Sequence, residues 1–307
     1  MKRPTIGDIA RRAGVSKAAV SYALNGRPGV SEETRDRVSR IAHALGWRAN
    51  TAALALSGER AGVVGLALGG PAPWPMVEGI ERELAAEGIA LQLAIVPDAE
   101  AEVETYRDWW ATRRVDGVLV IDPRLEDHRI PLLRNLKIPA AVVGLAVPGL
   151  SAVRDDCAAE CRQVVGHLAE RGHRRVGYVT KSDRSCRDTH RGRALRELLG
   201  AGLAEAQAVD ELLELPDPPT AVICEDDMTA AATVANAGRS GVRIPGELAV
   251  VAWNDSAVCE LVEVTAVRRD DGADGASAAR LLLKQLDTGV PEHGAASPGE
   301  LMIRGTT

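Results

Sequence analysis

Apolar residues fall at helical spacing three times within the first 46 positions, after which the pattern switches to short continuous apolar runs separated by helical stretches. Thr5 precedes an apolar stretch over 6–13, with Asp8 three residues on as the acidic arm of a capping box and Gly14 as the stop. Ser16 can cap a second helix over 17–24, with Val20 and Leu24 on one face and Asn25-Gly26 ending it. Ser31 can cap a third, opened by Glu32-Glu33 and carrying Val38, Ile41, Ala42 and Leu45 at helical spacing before Gly46. Ile9, Val20, Leu24, Val38, Ile41 and Leu45 supply enough apolar surface to hold three short helices together. Beyond Gly62, the segments 63–68, 90–96, 117–121, 140–144, 175–179, 221–224 and 248–253 read as buried parallel strands. The segments 76–87, 101–113, 157–171, 191–199 and 228–239 read as crossover helices. The length fits two doubly wound α/β lobes better than one.

The first two helices are separated by Gly14-Val15-Ser16 alone. Such a turn makes a helix-turn-helix, whose second helix offers its first turns to the DNA major groove, although short αα-hairpins also occur as packing units. Charge adds weight to the first reading. The chain carries a formal −6, yet residues 1–60 hold eleven Lys/Arg against five acids, a net +6, so the remaining 247 residues carry −12. A basic head on an acidic body suits one end meeting a polyanion, or a basic helical surface that is merely solvated.

Composition narrows the class. Five scattered cysteines (Cys157, Cys161, Cys186, Cys224, Cys259) make no disulfide framework and read as reduced thiols. No apolar stretch follows the basic N-terminus and no run of about 18 apolar residues occurs, so a cytoplasmic protein without membrane contact is expected. Phenylalanine is absent and arginine outnumbers lysine 32 to 5, so cores must be built from Ala, Val, Leu and Ile.

The motifs Thr5-Ile6-x-Asp8-Ile9-Ala10-x-x-Ala13-Gly14-Val15-Ser16, Val20-Ser21-x-x-Leu24-Asn25-Gly26, Val30-Ser31-x-x-Thr34-Arg35-x-Arg37-Val38 and Leu45-Gly46-Trp47-x-x-Asn50 closely resemble the headpiece of the LacI/GalR transcriptional regulators. Val63-Val64-Gly65-Leu66, Arg114 to Val118, Ile138-Pro139-Ala140, Arg171 to Val176 and Thr220 to Ile223 continue the resemblance in family order. It implies a homodimeric repressor of double-stranded operator DNA, with a periplasmic-binding-protein-like body that takes a small-molecule effector such as a sugar. By the same resemblance, Ser16 starts the recognition helix, and Lys17, Ala18, Ser21 and Tyr22 meet base edges or adjacent phosphates. Lysine can donate to guanine O6/N7 and Ala18 can offer a methyl contact, so direct readout should rest on Lys17 and Tyr22. Relatives often carry arginine in place of Tyr22 and threonine in place of Ala19. Thr5, Asn25, Ser31, Thr34 and Trp47 fall in the phosphate-positioning set, with helix capping the competing role for Thr5 and Ser31.

Residues 50–57 resemble the hinge helix, which is too short to be stable alone and is expected to fold on DNA. Asn50, Ala53 and Leu56 join the DNA set there, with Leu56 the minor-groove wedge. Leu54, where many relatives are polar or basic, reads as extra helix packing. The expected divisions are a headpiece over 1–49, a hinge and linker over 50–60, and a body over 61–307. Its first lobe should take 61–155 and 270–288 and its second lobe 156–269 and 289–307, with crossings near 155, 269 and 288.

Ligands in such folds sit at C-terminal strand ends, which nominates Trp74, Asp122, Asp155, Asp226 and Asn254. Trp74 stands where relatives pack an aromatic on a ligand ring, or it is structural. Asp226 and Asn254 replace a family asparagine and aspartate. Relatives usually carry an arginine three residues before the glycine corresponding to Gly192; this chain has Thr189, with Arg187 and Arg191 nearby, so the polar clamp is missing or re-sited. Some twenty residues between Leu199 and Thr220 replace a longer helix, strand and helix, implying a shortened C-terminal lobe and an effector response that is atypical or lost. Nothing points to an enzyme or a cofactor. Cys157-x3-Cys161 lacks a second pair for zinc, His173 reads as structural, Gly65, Gly69 and Gly70 make no phosphate loop, and Asp226-Asp227 lacks partner ligands for a metal. A solute-binding protein with an accidental basic head is the competing class.

Overall fold

The structure, a computed structural model, describes residues 4–24, 26–47, 60–70, 73–144, 146–180 and 186–307. The chain divides into two compact units, Met1–Ala61 and Gly62–Thr307.

The first unit contains α1 (Ile6–Ala13), α2 (Lys17–Leu24) and α3 (Glu32–Ala44). Each start is set by a hydroxyl. Thr5 Oγ1 accepts the Asp8 N–H while Asp8 Oδ2 accepts the Thr5 N–H at 2.9 Å, closing the capping box. Ser16 Oγ accepts the Ala19 N–H at 3.1 Å, and Ser31 Oγ that of Thr34 at 3.4 Å. Gly14 ends α1 at φ 66°, a left-handed conformation that glycine adopts without steric cost. Ile9, Ala10, Ala13, Val20, Ala23, Val38 and Ala42 are buried together, with Ile6, Val15, Leu24, Val30, Ile41, Leu45 and Trp47 packed around them.

The second unit is built on two six-stranded sheets. The first holds β1 (Val63–Leu68), β2 (Ala90–Ile95), β3 (Gly117–Ile121), β4 (Ala140–Gly144), β5 (Ser151–Arg154) and β11 (His293–Ala295), in the order β11-β5-β4-β3-β1-β2, all parallel. The second holds β6 (Val176–Val179), β7 (Leu203–Ala206), β8 (Ala221–Cys224), β9 (Ala249–Ala252), β10 (Thr265–Arg268) and β12 (Glu300–Met302), in the order β12-β10-β9-β8-β6-β7, with β12 antiparallel to β10. The two-residue period of a strand sorts the side chains onto both faces. Leu66, Leu119, Ile121 and Val143 join Met76, Ile80 and Leu84 of α4 (Trp74–Ala86) and Ala278, Ala279 and Leu282 of α12 (Asp271–Thr288). Ala67, Val118, Val120 and Val142 join Tyr106 and Trp109 of α5 (Ala99–Ala111) and Leu132 and Leu133 of α6 (Arg129–Asn135). In the second lobe, α7 (Cys157–Glu170) and α8 (Cys186–Leu199) cover one face, while α9 (Val209–Leu213), α10 (Asp227–Ser240) and α11 (Ala257–Leu261) cover the other.

Glycine decides how α4 meets α12. A Cβ on Gly79 would stand 2.0 Å from the Gly272 carbonyl oxygen, and one on Gly275 2.3 Å from that of Met76, so the two helices touch backbone to backbone. This accounts for the small-residue run Gly272-Ala273-Asp274-Gly275-Ala276-Ser277-Ala278-Ala279.

Two expectations change. The chain leaves the first sheet after Ala295, not near 288, because β11 pairs with β5 (His293↔Ala152) before β12 joins the second sheet. The shortened stretch after Leu199 still supplies a strand, β7, paired with β6 (Val176↔Leu203), and α9, a helix of five residues, completes it. The second sheet therefore keeps six strands.

Candidate functional site

On α2, Val20 and Ala23 point into the headpiece core, leaving Ser16, Lys17, Ala18 and Tyr22 exposed and Ser21 half-buried. Tyr22 is 43% exposed and its ring edge lies over Gly29, 3.7 Å from where a Cβ would stand. The Lys17 stem runs over Gly7, whose missing Cβ would lie 3.2 Å from Lys17 Cε. Ser31 and Thr34 share a hydroxyl hydrogen bond of 2.9 Å, and Arg35 Nη2 donates to the Arg27 carbonyl at 3.2 Å, tying the turn after α2 to α3.

In the second unit the strand ends converge on a set of buried arginines. Arg129 bonds to Glu102 and, through Nη2, to Asp127 at 2.6 Å, all three side chains being buried. Glu102 also accepts the Gly69 N–H at 2.6 Å, and Arg129 Nη2 reaches the Asp122 carbonyl at 3.4 Å, so one cluster fixes the ends of β1 and β3. Asp122 sits at φ 47°, a left-handed position uncommon for a residue with a Cβ. Asp155, just past β5, takes Arg187 Nε at 2.5 Å and Arg269 Nη2 at 2.6 Å. Burial pushes the Asp155 carboxyl up, but the two guanidinium charges and their hydrogen bonds outweigh it and hold it below the usual carboxylate range. Asp271 lacks that compensation, and burial raises it in spite of Arg187 and Arg269. Arg191, 2% exposed, lies 4.7 Å over the Trp253 ring and pairs with Glu160 at 3.4 Å and Asp188 at 3.7 Å. It is a packed cation, not one turned to a ligand.

Residues 5–50 match the family of bacterial regulatory proteins, lacI family, and residues 165–307 match the periplasmic binding protein-like domain. The HTH-type transcriptional repressor CytR of Escherichia coli (strain K12) is 27% identical over 99% of this chain and 96% of its own. The HTH-type transcriptional regulator CelR of Thermobifida fusca is 30% identical, over 93% of this chain and 92% of its own. The chain belongs to the LacI family. Its fold is that of solved LacI-family structures. The CelR–cellobiose complex superposes with a TM-score of 0.71 at 28% identity, covering 99% of this chain and 100% of that one. The lac repressor dimer bound to operator and anti-inducer superposes with 0.84 at 21% identity, covering 100% and 99%.

As a LacI-family protein it is a DNA-binding transcriptional regulator built from a helix-turn-helix head and a periplasmic-binding-protein-like body. Of the residues nominated from sequence for the LacI-type head, Thr5, Ser16 and Ser31 are helix caps with exposed side chains, and Trp47 packs against the core. Asn25, Asn50, Ala53 and Leu56, with Leu54 and the rest of the hinge segment, lie outside the described residues. Of the cleft set, Asp122, Asp155 and Arg187 come together, with Asp122 and Asp271 both within electrostatic reach of Arg187. Asp226 caps α10 by accepting the Thr229 N–H at 2.6 Å, and Asn254 is exposed past β9. Thr189 lies half-buried in the first turn of α8. Trp74, 56% exposed, lines a shallow hollow of about 420 Å³ with Val77, Glu78, Glu81, Arg82 and Leu91, along α4 and edge strand β2. Sequence reasoning missed Arg269 and Asp271. The short run Thr265-Ala266-Val267 was the available signal, since it forms the buried strand β10 that ends just before Arg269.

Among the described residues no three His, Cys, Asp or Glu side chains could hold a metal ion, and no helix is long and apolar enough to cross a membrane.

Proposed function

We propose that this regulator represses transcription by binding a pseudo-palindromic operator as a homodimer, with α2 in the major groove and Lys17 and Tyr22 reading bases. The observation that carries the reading is the one-sided burial of α2: Val20 and Ala23 hold the core while Lys17, Ala18 and Tyr22 stand free on an electropositive head. Ser31 and Thr34 set register on phosphates. Leu56 is the minor-groove wedge on the strength of the sequence resemblance. The hollow that exposed Trp74 and half-buried Leu91 form on the first lobe supports a second copy as partner there. The test is a band-shift on the regulator's own upstream region. Lys17→Ala should lower affinity at least tenfold on the operator and much less on random DNA, and raising salt should weaken both. Equal losses on both DNAs would refute base reading by Lys17.

The cleft between the lobes is assigned to a small polyhydroxylated effector. The CelR–cellobiose complex among its structural relatives supports a sugar. Asp122 and Asp155 supply acceptors at the strand ends and Arg187, in the first turn of α8, a donor beside them. Calorimetric titration with mono- and disaccharides and nucleosides tests this, and a flat response across the panel would overturn the sugar assignment.

A further inference from the structure

The two lobes are joined by three crossings, and one buried arginine touches the structure around all of them. Arg269, its side chain 4% exposed and just past β10, bonds Asp155 of the first crossing at 2.6 Å and Glu160 of α7 at 2.8 Å. It also lies 3.7 Å from Asp274 at the start of α12. Asp274 Oδ1 in turn accepts the Ser297 N–H at 2.6 Å, in the third crossing. A Cβ on Gly299 would meet Glu160 Oε1 at 2.8 Å, so the last crossing runs close against the same cluster. On the cleft side Asp155 takes a second cation, Arg187, from the first turn of α8 in the other lobe. Arg187 reaches the first lobe itself: a Cβ on Gly144, at the end of β4, would stand 3.8 Å from Arg187 Nη2. Asp122 and Asp271 of the first lobe add to the charge attracting it.

We infer that Arg187 is an interlobe latch and Arg269 the pin that holds its anchor, so the body keeps its lobes together through its own guanidinium group. Three features carry this. The Arg187–Asp155 bond ties the first turn of α8 to the first crossing and sets Arg187 Nη2 against Gly144 of the first lobe, so opening the cleft pulls Arg187 off that lobe. Both partners are largely removed from water, where a charged hydrogen bond is least weakened by screening. Asp155 cannot turn away to solvent, because Arg269 grips its other oxygen. The inference concerns the body alone and stands whether or not a sugar binds.

Hydrogen–deuterium exchange on the full-length protein, with Arg187→Gln and Arg187→Lys, tests it. In Arg187→Gln, amides at the rim of the cleft, 144–158 and 186–192, should exchange at least tenfold faster, while β1, β3 and the headpiece stay as in the parent. Arg187→Lys, which keeps the charge, should stay within threefold of the parent. Arg269→Gln should speed exchange at all three crossings together. Unchanged exchange at the rim in Arg187→Gln would overturn the latch. A rise spread equally over β1 and β3 would also overturn it, since that marks a general packing role.

Discussion

Arg129→Met isolates the cost of the buried ionic cluster under the first lobe's strand ends. The side chain is close to isosteric in its stem, so the change removes charge and donors while leaving little void. It strands Glu102 and Asp127, whose side chains are 4% and 6% exposed, in a site where, among the described residues, no second cation is bonded to either. Removing one member of a buried ion pair costs about 3–5 kcal/mol, because the remaining charge is left desolvated. Against a typical total of roughly 5–15 kcal/mol, that is a large share of the body's stability. At about 2–4 °C per kcal/mol for a domain of this size, the thermal midpoint should fall by roughly 6–20 °C. Urea unfolding followed by tryptophan emission is a suitable assay, since Trp109 packs edge-on against Tyr106 at 5.9 Å in the same lobe. Adding Glu102→Gln should recover part of the loss, because the amide oxygen can still accept the Gly69 N–H without a buried charge. A loss under about 1 kcal/mol would refute the reasoning, since it would place the cluster in the range of solvent-screened pairs.

Three further outcomes are expected. Gly79→Ala drives a methyl into the Gly272 carbonyl and should lower stability by more than the usual overpacking range of about 1–3 kcal/mol, read by the same urea titration; a neutral result would mean α4 and α12 can separate freely. Asp127 and Asp155 are held below the usual carboxylate range, so their contribution is complete above the unfolded value near 4 and is lost as pH falls through the folded values. Asp271, raised by burial, works in the opposite sense, its cost easing as pH falls, so the thermal midpoint should drop below about pH 4 less steeply than two acids alone would give, and a midpoint flat to pH 3 would contradict the pairing. Burial pushes the Cys157 thiol up to about 11 and those of Cys161 and Cys224 up to about 12, and raises Cys259 as well, so these four should resist a thiol reagent at pH 8 until the protein is unfolded.

The headpiece was almost fully legible because its signals are local: each helix start is a hydroxyl three residues from the N–H it accepts, and α1, α2 and α3 begin and end where capping places them. The central strands β1, β3, β4 and β8 were equally plain, being continuous apolar runs of five, six or four residues. What failed to show were elements whose identity depends on distant partners. The first half of α12 lacks a strong apolar stripe because its contact with α4 is made by glycine and alanine. β11 is three residues long and is a strand only because Ser151–Arg154 lies beside it. In the cleft, Asp155 and Arg187 were nominated individually, but Arg269 was missed because its hydrogen-bond partners Asp155 and Glu160 lie more than a hundred residues earlier in the chain.

The first lobe's core draws Ala278, Ala279 and Leu282 from α12, yet its strands β1 to β5 are complete by Arg154. During synthesis β6 to β10 of the second lobe must therefore emerge before the first can finish closing one face. At about 5–20 residues per second, the stretch from β5 to α12 takes on the order of 10 s. Through that interval the faces of Val64, Leu66, Leu119 and Val143 are covered by α4 without α12. A nascent chain of this regulator keeps one apolar sheet face half covered until its last fifth is made, so truncation within α12 would spoil the lobe encoded first.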